Sequence, residues 1–266
     1  MRRAHNEDAF LVRDDLPLYV VADGMGGHAA GEIASEEAVN CVYDMVLGDW
    51  PAIESYRTNP SPTTLAVLRR VVVRAIEGAA YRVFGMAEQA PDRKGMGTTV
   101  TALLLVDDVA ILGSVGDSRA YLFRGSNTWQ VTEDHTVAQL QIKAGLISPE
   151  DARTSPRGHV LTRAVGPRDH VQVDVYEVPI EVGDRYLLCS DGLHGHLEQN
   201  EISPIVRCNS LEQSAQQLID FANRRGGSDN ITCVLVEVLD KRALAPSIMG
   251  SSRNWPRIPP SIPQRS

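Results

Sequence analysis

The chain has 266 residues, of which 43% are hydrophobic and 23% charged, and its formal net charge is -8 at pH 7. These values are ordinary for a globular protein and exclude a mainly disordered or fibrous chain. The acidic balance argues against a nucleic-acid partner, because binding to phosphate backbones requires a basic surface. It suits a protein that binds divalent cations. Length alone is compatible with one large domain or two small ones.

Cysteine usage and hydropathy indicate a cytoplasmic protein. The four cysteines are widely spaced and form no C-x-x-C pair; they are Cys41, Cys189, Cys208 and Cys233. This pattern argues against a zinc site and against a disulfide framework, so we expect reduced thiols. No run of about 18 apolar residues occurs, and the N-terminal residues lack the apolar core of a signal peptide. We therefore expect no membrane partner.

Hydrophobic periodicity predicts the regular elements. Short apolar runs bounded by turn residues predict strands, which in chain order span 9–12, 18–22, 98–106, 109–115, 120–123, 129–132, 171–178, 185–189 and 231–239. Apolar residues at three- and four-residue steps predict helices over 31–47, 63–90, 136–145, 200–208 and 211–223. Strands and helices come in separate runs. This favours an α+β fold with a central antiparallel β-sandwich flanked by helical pairs.

Prolines mark the segments that we expect to be irregular. Pro51, Pro60 and Pro62 predict a loop between the first two helices. The segment 147–158, with two prolines and mixed charges, is typical of a mobile excursion. A Pro/Ser/Arg-rich tail at 242–266 is expected to be disordered, which leaves 1–241 as the predicted domain.

Carboxylates accompany several predicted strands at their ends. Asp23, Asp117 and Asp191 each follow a strand, and Asp229 precedes the last one, with Gly, Ser or Asn beside each. One such Asp is typical of a turn, but four in equivalent places are hard to explain as coincidence. If the four converge, their like charges require cations.

The candidate ligands are all oxygens, which favours Mg2+ or Mn2+ over zinc. Two such ions can share a bridging carboxylate and activate water for in-line attack on phosphorus. A phosphate ester also needs a cationic clamp. Arg3, close to the acidic Asn6-Glu7-Asp8 group, can bind phosphate through both arms of its guanidinium group.

Seven short motifs occur in a fixed order. They are Arg3-x-x-Asn6-Glu7-Asp8, Asp23-Gly24-Met25-Gly26-Gly27-His28, Gly97-Thr98-Thr99, Gly116-Asp117-Ser118-Arg119, Leu161-Thr-Arg-Ala-Val-Gly166, Ser190-Asp191-Gly192 and Ser228-Asp229-Asn230. Together the set resembles that of the metal-dependent serine/threonine phosphatases of the protein phosphatase 2C (PP2C or PPM) family, in its bacterial form.

The resemblance implies metal ligands. Asp23 would bridge two core Mn2+ or Mg2+ ions, and the flexible glycines would let the Gly24 carbonyl approach one of them. Asp191 and Asp229 would complete the other. Asp117, again with Asp191, matches the residues that hold a third, weaker metal in bacterial members.

The resemblance also implies roles around the metals. Glu7 and Asp8 would act through bound waters, and Arg3 would grip the substrate phosphate. Eukaryotic relatives place a candidate general acid, a histidine, two residues after the bridging Asp. This chain has Met25 there, so the role lapses or passes to His28.

The implied fold is the same sandwich, with a flap at about 143–158. The implied substrates are phosphoserine and phosphothreonine proteins, including a bacterial Ser/Thr kinase, and we expect a monomer. Family members usually have a strand before the arginine motif, whereas the sequence given begins at Met1-Arg2-Arg3. Either that strand is absent, or the sequence starts late.

Three alternatives compete with this function. A dinucleotide site could use Gly24-x-Gly26-x-x-Ala29, but the acidic residue it needs about 20 positions later falls in a predicted helix, at Asp44. A non-catalytic sensor of the same fold would bind metal or a phosphoprotein without turnover, and the loss of a metal ligand would mark it. A cysteine-dependent phosphatase would need a C-x5-R loop, which the sequence lacks.

Overall fold

The computed structural model describes residues 5–26, 30–155 and 157–240. Within these ranges the strands are β1 (Asp8–Arg13), β2 (Leu18–Met25), β3 (Gly97–Thr98), β4 (Val100–Val106), β5 (Val109–Val115), β6 (Arg119–Arg124), β7 (Asn127–Gln130), β8 (Asp174–Pro179), β9 (Arg185–Cys189) and β10 (Cys233–Glu237). The helices are α1 (Ala30–Gly48), α2 (Trp50–Thr58), α3 (Pro62–Gln89), α4 (Val137–Lys143), α5 (Pro149–Thr154), α6 (Asp191–His194), α7 (Gln199–Cys208) and α8 (Leu211–Arg224).

The strands form two antiparallel sheets. The first has the order β1-β2-β4-β5-β8, with the short β3 also paired to β2, and the second has the order β10-β9-β6-β7. Within the part of the chain that the structure describes, β1 is an edge strand of the first sheet. Its register places Asp8 opposite Asp23.

Burial on both faces explains why the central strands are almost continuously apolar. Alternate residues of a strand point to opposite faces of its sheet. In β4, Ala102 and Leu104 therefore pack towards α1 and α3, while Leu103 and Leu105 pack towards the second sheet. Because neither face meets water, a polar residue on these strands is tolerated only near their ends.

Helices cover the outer faces of both sheets. The long helix α3 begins at a capping box between Ser61 and Thr64 and, with α1, buries one core against the first sheet. Helices α7 and α8 cover the second sheet around Leu187, Ile202 and Leu218. The layers run helix, sheet, sheet, helix, as the α+β prediction required.

Two segments that we predicted to be irregular contain helices. Pro51 lies in the first turn of α2, where its missing N–H would have had no helical partner in any case. Pro149 is the first residue of α5, and Ser148 and Asp151 cap the N-terminus of this helix with a reciprocal capping box. The loop prediction is wrong at α2, and the irregular excursion is wrong at α5. In both, proline lies in the first turn of the helix.

The remaining differences are small. The strand predicted over 171–178 begins three residues later, and the one predicted over 129–132 begins at Asn127. The short helix α6 was not predicted. None of the four cysteines forms a disulfide, and no helix among the described residues has the length and hydropathy to span a membrane. The predicted tail lies outside the described residues.

The contact between α3 and the first sheet depends on a glycine in β5. A Cβ on Gly113 would lie 2.6 Å from Val72 Cγ1 and 2.7 Å from Ile76 Cδ1. The helix therefore packs directly on the backbone of the strand.

We expect Gly113→Ala to lower the free energy of unfolding by about 1–3 kcal/mol, because the core has no room for another methyl group. The matched control is Gly85→Ala, since Gly85 lies inside α3 and its added Cβ would meet no atom within 4 Å apart from its own helix backbone. That control should be neutral or stabilise by up to about 1 kcal/mol. Urea denaturation measures both, and equal effects would contradict direct packing of α3 on β5.

Candidate metal-binding active site

The structure brings the carboxylates of the strand ends together. Asp23, Asp117, Asp191 and Asp229 all line one cavity of about 1020 Å³. Asp8 faces Asp23 across the β1–β2 ladder. The cavity therefore receives acidic side chains from both sheets.

Glycines allow β1, β2 and α1 to meet at this cavity. The N–H of Gly24 donates to Glu7 O at 3.0 Å, and a Cβ on Gly24 would lie 2.5 Å from that oxygen and overlap Gly31 O. A Cβ on Gly31 would lie 2.7 Å from Glu7 Oε1. The Glu7 carboxylate thus lies at the first turn of α1, a favourable place for an anion. Gly24 is required for this packing, a reason that the sequence did not reveal.

Two threonines hold the backbone of Asp23. The N–H of Asp23 donates to Thr99 Oγ1 at 2.9 Å, and its carbonyl accepts from the N–H of Thr99 and the hydroxyl of Thr98, each also at 2.9 Å. Thr99 Oγ1 also lies 2.7 Å from Ser118 Oγ. Since Ser118 follows Asp117, one hydroxyl connects the segments that carry two of the acids.

Close backbone contact joins the other two acidic segments. A Cβ on Gly192 would overlap Asn230 O, so the residues after Asp191 and Asp229 can approach only because position 192 is glycine. Ser190 supplies a further connection by donating its hydroxyl to Asp8 Oδ2 at 2.9 Å.

Burial and like charge make the cluster costly in the absence of a cation. Burial, together with the charges of Asp191 and Asp134, raises the pKa of Asp117 to about 7. Burial also raises the pKa of Asp8 to about 6. For Asp23, burial together with the carboxylates of Asp8, Asp191 and Asp117 raises the pKa well above its usual value. Bound cations would relieve this repulsion.

The donor set fits a hard divalent cation. All candidate ligands are oxygens, and Asp8 Oδ1 is buried without a well-formed hydrogen bond to the described residues. Across the described ranges, no three His, Cys, Asp or Glu side chains form a ready-made ligand group. The fit to a metal thus rests on the oxygen chemistry of these residues and on the cavity that they share, not on a preformed ligand group.

Two arginines close to the acids, Arg119 and Arg163, pair with other carboxylates. Arg119 forms a bidentate pair with Asp134, with distances of 2.9 and 2.7 Å. Arg163 Nη1 lies 2.6 Å from Asp174 Oδ1. Within the described ranges, no salt bridge joins a basic side chain to Asp8, Asp23 or Asp117, although the positive charge of Arg119 partly offsets the rise in the pKa of Asp117.

Comparison with known proteins identifies the family. The family model described as Protein phosphatase 2C matches residues 2–240. The chain belongs to the protein phosphatase 2C family. The serine/threonine phosphatase stp of Listeria welshimeri serovar 6b is 37% identical over 239 residues, which cover 88% of this chain and 91% of that protein.

Solved structures agree with this family. The crystal structure of the Mycobacterium tuberculosis serine/threonine phosphatase PstP/Ppp has 32% identity and a TM-score of 0.79, covering 90% of this chain and 95% of that chain. The catalytic domain of the serine/threonine protein phosphatase PstP, solved in complex with two manganese ions, has 33% identity and a TM-score of 0.76, covering 90% and 94%. These findings confirm the predicted family, the α+β fold and the class of enzyme, a protein phosphatase.

Two residues that the 2C resemblance singled out cannot be placed. Arg3 and His28 lie outside the described residues. Met25, which occupies the position of the eukaryotic histidine, lines the cavity.

Two histidines that sequence reasoning missed support the acidic cluster. His194 Nε2 donates to Asp117 O at 3.0 Å, and burial lowers the pKa of His194 to about 3, which keeps it neutral. His135 Nδ1 accepts from the N–H of Gly116 at 3.1 Å. No spacing in the sequence indicates these contacts, because each joins residues that are far apart in the chain.

We expect Thr99→Val to lower the free energy of unfolding by about 1–3 kcal/mol, because it removes the partner of a buried N–H and of a buried hydroxyl. Thr99→Ser keeps the hydroxyl and should cost less. Urea denaturation of the metal-free protein distinguishes the two variants. Equal losses would contradict this prediction, because they would show that the methyl group of Thr99, which only Thr99→Ser removes, contributes as much as its hydroxyl.

Proposed function

We propose that this protein hydrolyses phosphoserine and phosphothreonine in proteins at a binuclear Mn2+ or Mg2+ centre, and so reverses a bacterial Ser/Thr kinase. The observation that carries the proposal is the convergence of strand-end carboxylates from both sheets on one cavity. Family membership and the two manganese ions of the PstP structure support the choice of metal.

The acidic side chains would have different roles towards the ions. The carboxylates of Asp8, Asp117 and Asp191 all act on Asp23 and raise its pKa, which favours Asp23 as the residue that would bridge two ions. Asp191 and Asp229 would complete the coordination of one ion, and the Gly24 carbonyl would bind the other.

The remaining acids support these ligands. Asp117, with Asp191, would hold a third and weaker ion. Glu7 and Asp8 would act through bound waters. When bound, the ions would lower the pKa of a water, orient it for in-line attack and neutralise charge on the phosphate.

The chain's own residues set the geometry of the reaction. Thr99 and Ser190 fix the acids by neutral hydrogen bonds, which leaves the carboxylate charge available to cations. Arg3 would orient the phosphate through both arms of its guanidinium group. His28 is the candidate proton donor to the leaving hydroxyl.

A phosphocysteine intermediate is not expected. Cys189, just before the acidic Ser190-Asp191 turn, is fully buried, and burial raises the pKa of its thiol. A nucleophilic cysteine needs a lowered pKa and access to substrate. Direct attack by water on phosphorus fits the site better.

The proposal extends to context. Phosphoproteins, including a Ser/Thr kinase, are the proposed substrates, and the segment at about 143–158 is proposed as the flap. Residues 1–241 are proposed as the phosphatase domain, acting as a cytoplasmic monomer. The family model, which matches 2–240, supports that extent.

The activity is tested with a phosphothreonine peptide and p-nitrophenyl phosphate, each with Mn2+ or with a chelator. Turnover should require the metal. Asp191→Ala should lower kcat by more than about 100-fold, since loss of a direct ligand exceeds the 10–100-fold typical of outer-shell changes.

The control variant is Cys189→Ala, which should lower stability by about 1 kcal/mol and leave kcat near the wild-type value. Mn2+ binding by folded wild-type protein without turnover would favour the non-catalytic sensor. Trapping of a phosphoryl-protein would contradict direct attack by water.

A second measurement follows stability. Mn2+ should raise Tm, whereas NaCl of equal ionic strength should not. At 100 times its Kd, Mn2+ should add about 2.7 kcal/mol to the free energy of unfolding. Asp23→Asn should raise Tm in chelator, because it removes a buried like charge, and should abolish most of the gain from Mn2+. An unchanged response to Mn2+ in this variant would contradict the bridging role.

A further inference from the structure

A buried imidazole holds the backbone immediately before Asp117. His135 is only 4% exposed. Its ring Nδ1 accepts from the main-chain N–H of Gly116 at 3.1 Å, and the main-chain N–H of His135 donates to Gly116 O at 2.9 Å. Its carbonyl accepts from the N–H of Thr162 at 2.8 Å. His135 therefore joins the loop that carries Asp117 to the segment beside the cavity.

The hydrogen bond from Gly116 fixes the tautomer of the ring. Because Gly116 supplies the hydrogen at Nδ1, that nitrogen carries a lone pair, and the ring proton lies on Nε2. Nε2 is 3.3 Å from Asp174 Oδ2, and Arg163 donates to Asp174 Oδ1 at 2.6 Å. These two hydrogen bonds hold the pKa of Asp174 well below its usual value, and the bond from His135 has the larger effect. Asp174 therefore remains an ionised acceptor.

Gly116 has little freedom on its opposite side. Its φ is +102°, and a Cβ there would lie 2.5 Å from Thr99 Cγ2. The glycine is thus held between Thr99 and His135. One residue later, His194 holds the carbonyl of Asp117. The main chain is fixed on both sides of the Asp117 carboxylate.

We propose that His135 is a positioning residue, which directs the Asp117 carboxylate into the cavity by accepting the Gly116 N–H while Asp174 and Arg163 fix its ring. The inference rests on the proposed function, in which Asp117 holds the weaker metal. Loss of the Nδ1 acceptor should weaken the binding of that ion and leave the ions on Asp23 bound. A merely structural histidine would affect stability without this selectivity.

Two substitutions separate the two ring nitrogens. His135→Asn places an amide oxygen near the position of Nδ1, and so keeps the acceptor for Gly116. His135→Gln extends to the position of Nε2 and loses that acceptor. Asp174→Asn is a third variant, which removes the ionised group that fixes the ring without changing its size.

The experiment measures Mn2+ binding to the full chain by calorimetry, with thermal melting and amide hydrogen exchange as parallel readouts. We expect His135→Gln and Asp174→Asn to weaken the weakest Mn2+ site by more than about tenfold and leave the tighter sites unchanged, as outer-shell changes do. His135→Asn should bind like the wild type. The Gly116 amide should exchange faster in His135→Gln than in His135→Asn.

Equal Mn2+ binding and equal Gly116 exchange in His135→Asn and His135→Gln would overturn the positioning role, whatever their melting temperatures. Absence of Mn2+ binding by the wild type would instead overturn the proposed function, and with it the metal part of this inference. The exchange of the Gly116 amide tests the hydrogen bond independently of any metal.

Discussion

Repulsion among buried carboxylates is the constraint to which the surrounding structure responds. The charges of Asp8, Asp191 and Asp117 all act on Asp23, and burial adds to the cost of ionising it. An isolated loop would relieve such repulsion by moving apart. Here Asp23, Asp117 and Asp191 are attached to strands whose two faces are buried, so the sandwich core opposes their separation. The packing of the core thereby holds mutually repelling carboxylates together, and cations would relieve their repulsion.

The groups that hold the acids are neutral. Thr99, Ser190 and the Nε2-protonated form of His135 act through hydrogen bonds, whereas Arg119 and Arg163 are directed at Asp134 and Asp174. An arginine placed against the cluster would stabilise the metal-free fold but would compete with cations for the same oxygens. Neutral supports fix the backbone without that competition. This arrangement explains how the site can be both ordered and strongly acidic.

Most of the fold was predictable because its signals are local. The apolar runs of β2, β4 and β5 are bounded by turn residues, and the long helix α3 has clear periodicity. Helix α2 was missed because Pro51 and the prolines after it were treated as loop signals, although proline is well tolerated in a first helical turn. The same reason explains α5. In both segments the position of the proline within the element, not its presence, decides the outcome.

The candidate acids were predictable as a set, because each lies beside a strand end with a small or polar neighbour. Their supports were not. His135 contacts Gly116, Thr162 and Asp174, which come from three separate segments, so no spacing indicates it. The packing role of Gly24 against Gly31 likewise depends on where α1 returns to the sheet. Such contacts follow from tertiary packing, which a linear pattern does not contain.

The core between the two sheets also sets the geometry of the site. Val21 of β2 and Leu188 of β9 belong to the same inter-sheet core, and each lies two or three residues before an acid of the cluster, Asp23 or Asp191. The spacing of these carboxylates therefore depends on how closely the sheets pack. The outer cores, under α1 and α3 or under α7 and α8, lack this direct connection between the acids of different sheets. A change of volume in the inter-sheet core thus acts on the spacing of these carboxylates as well as on stability, because packed interiors transmit strain instead of absorbing it.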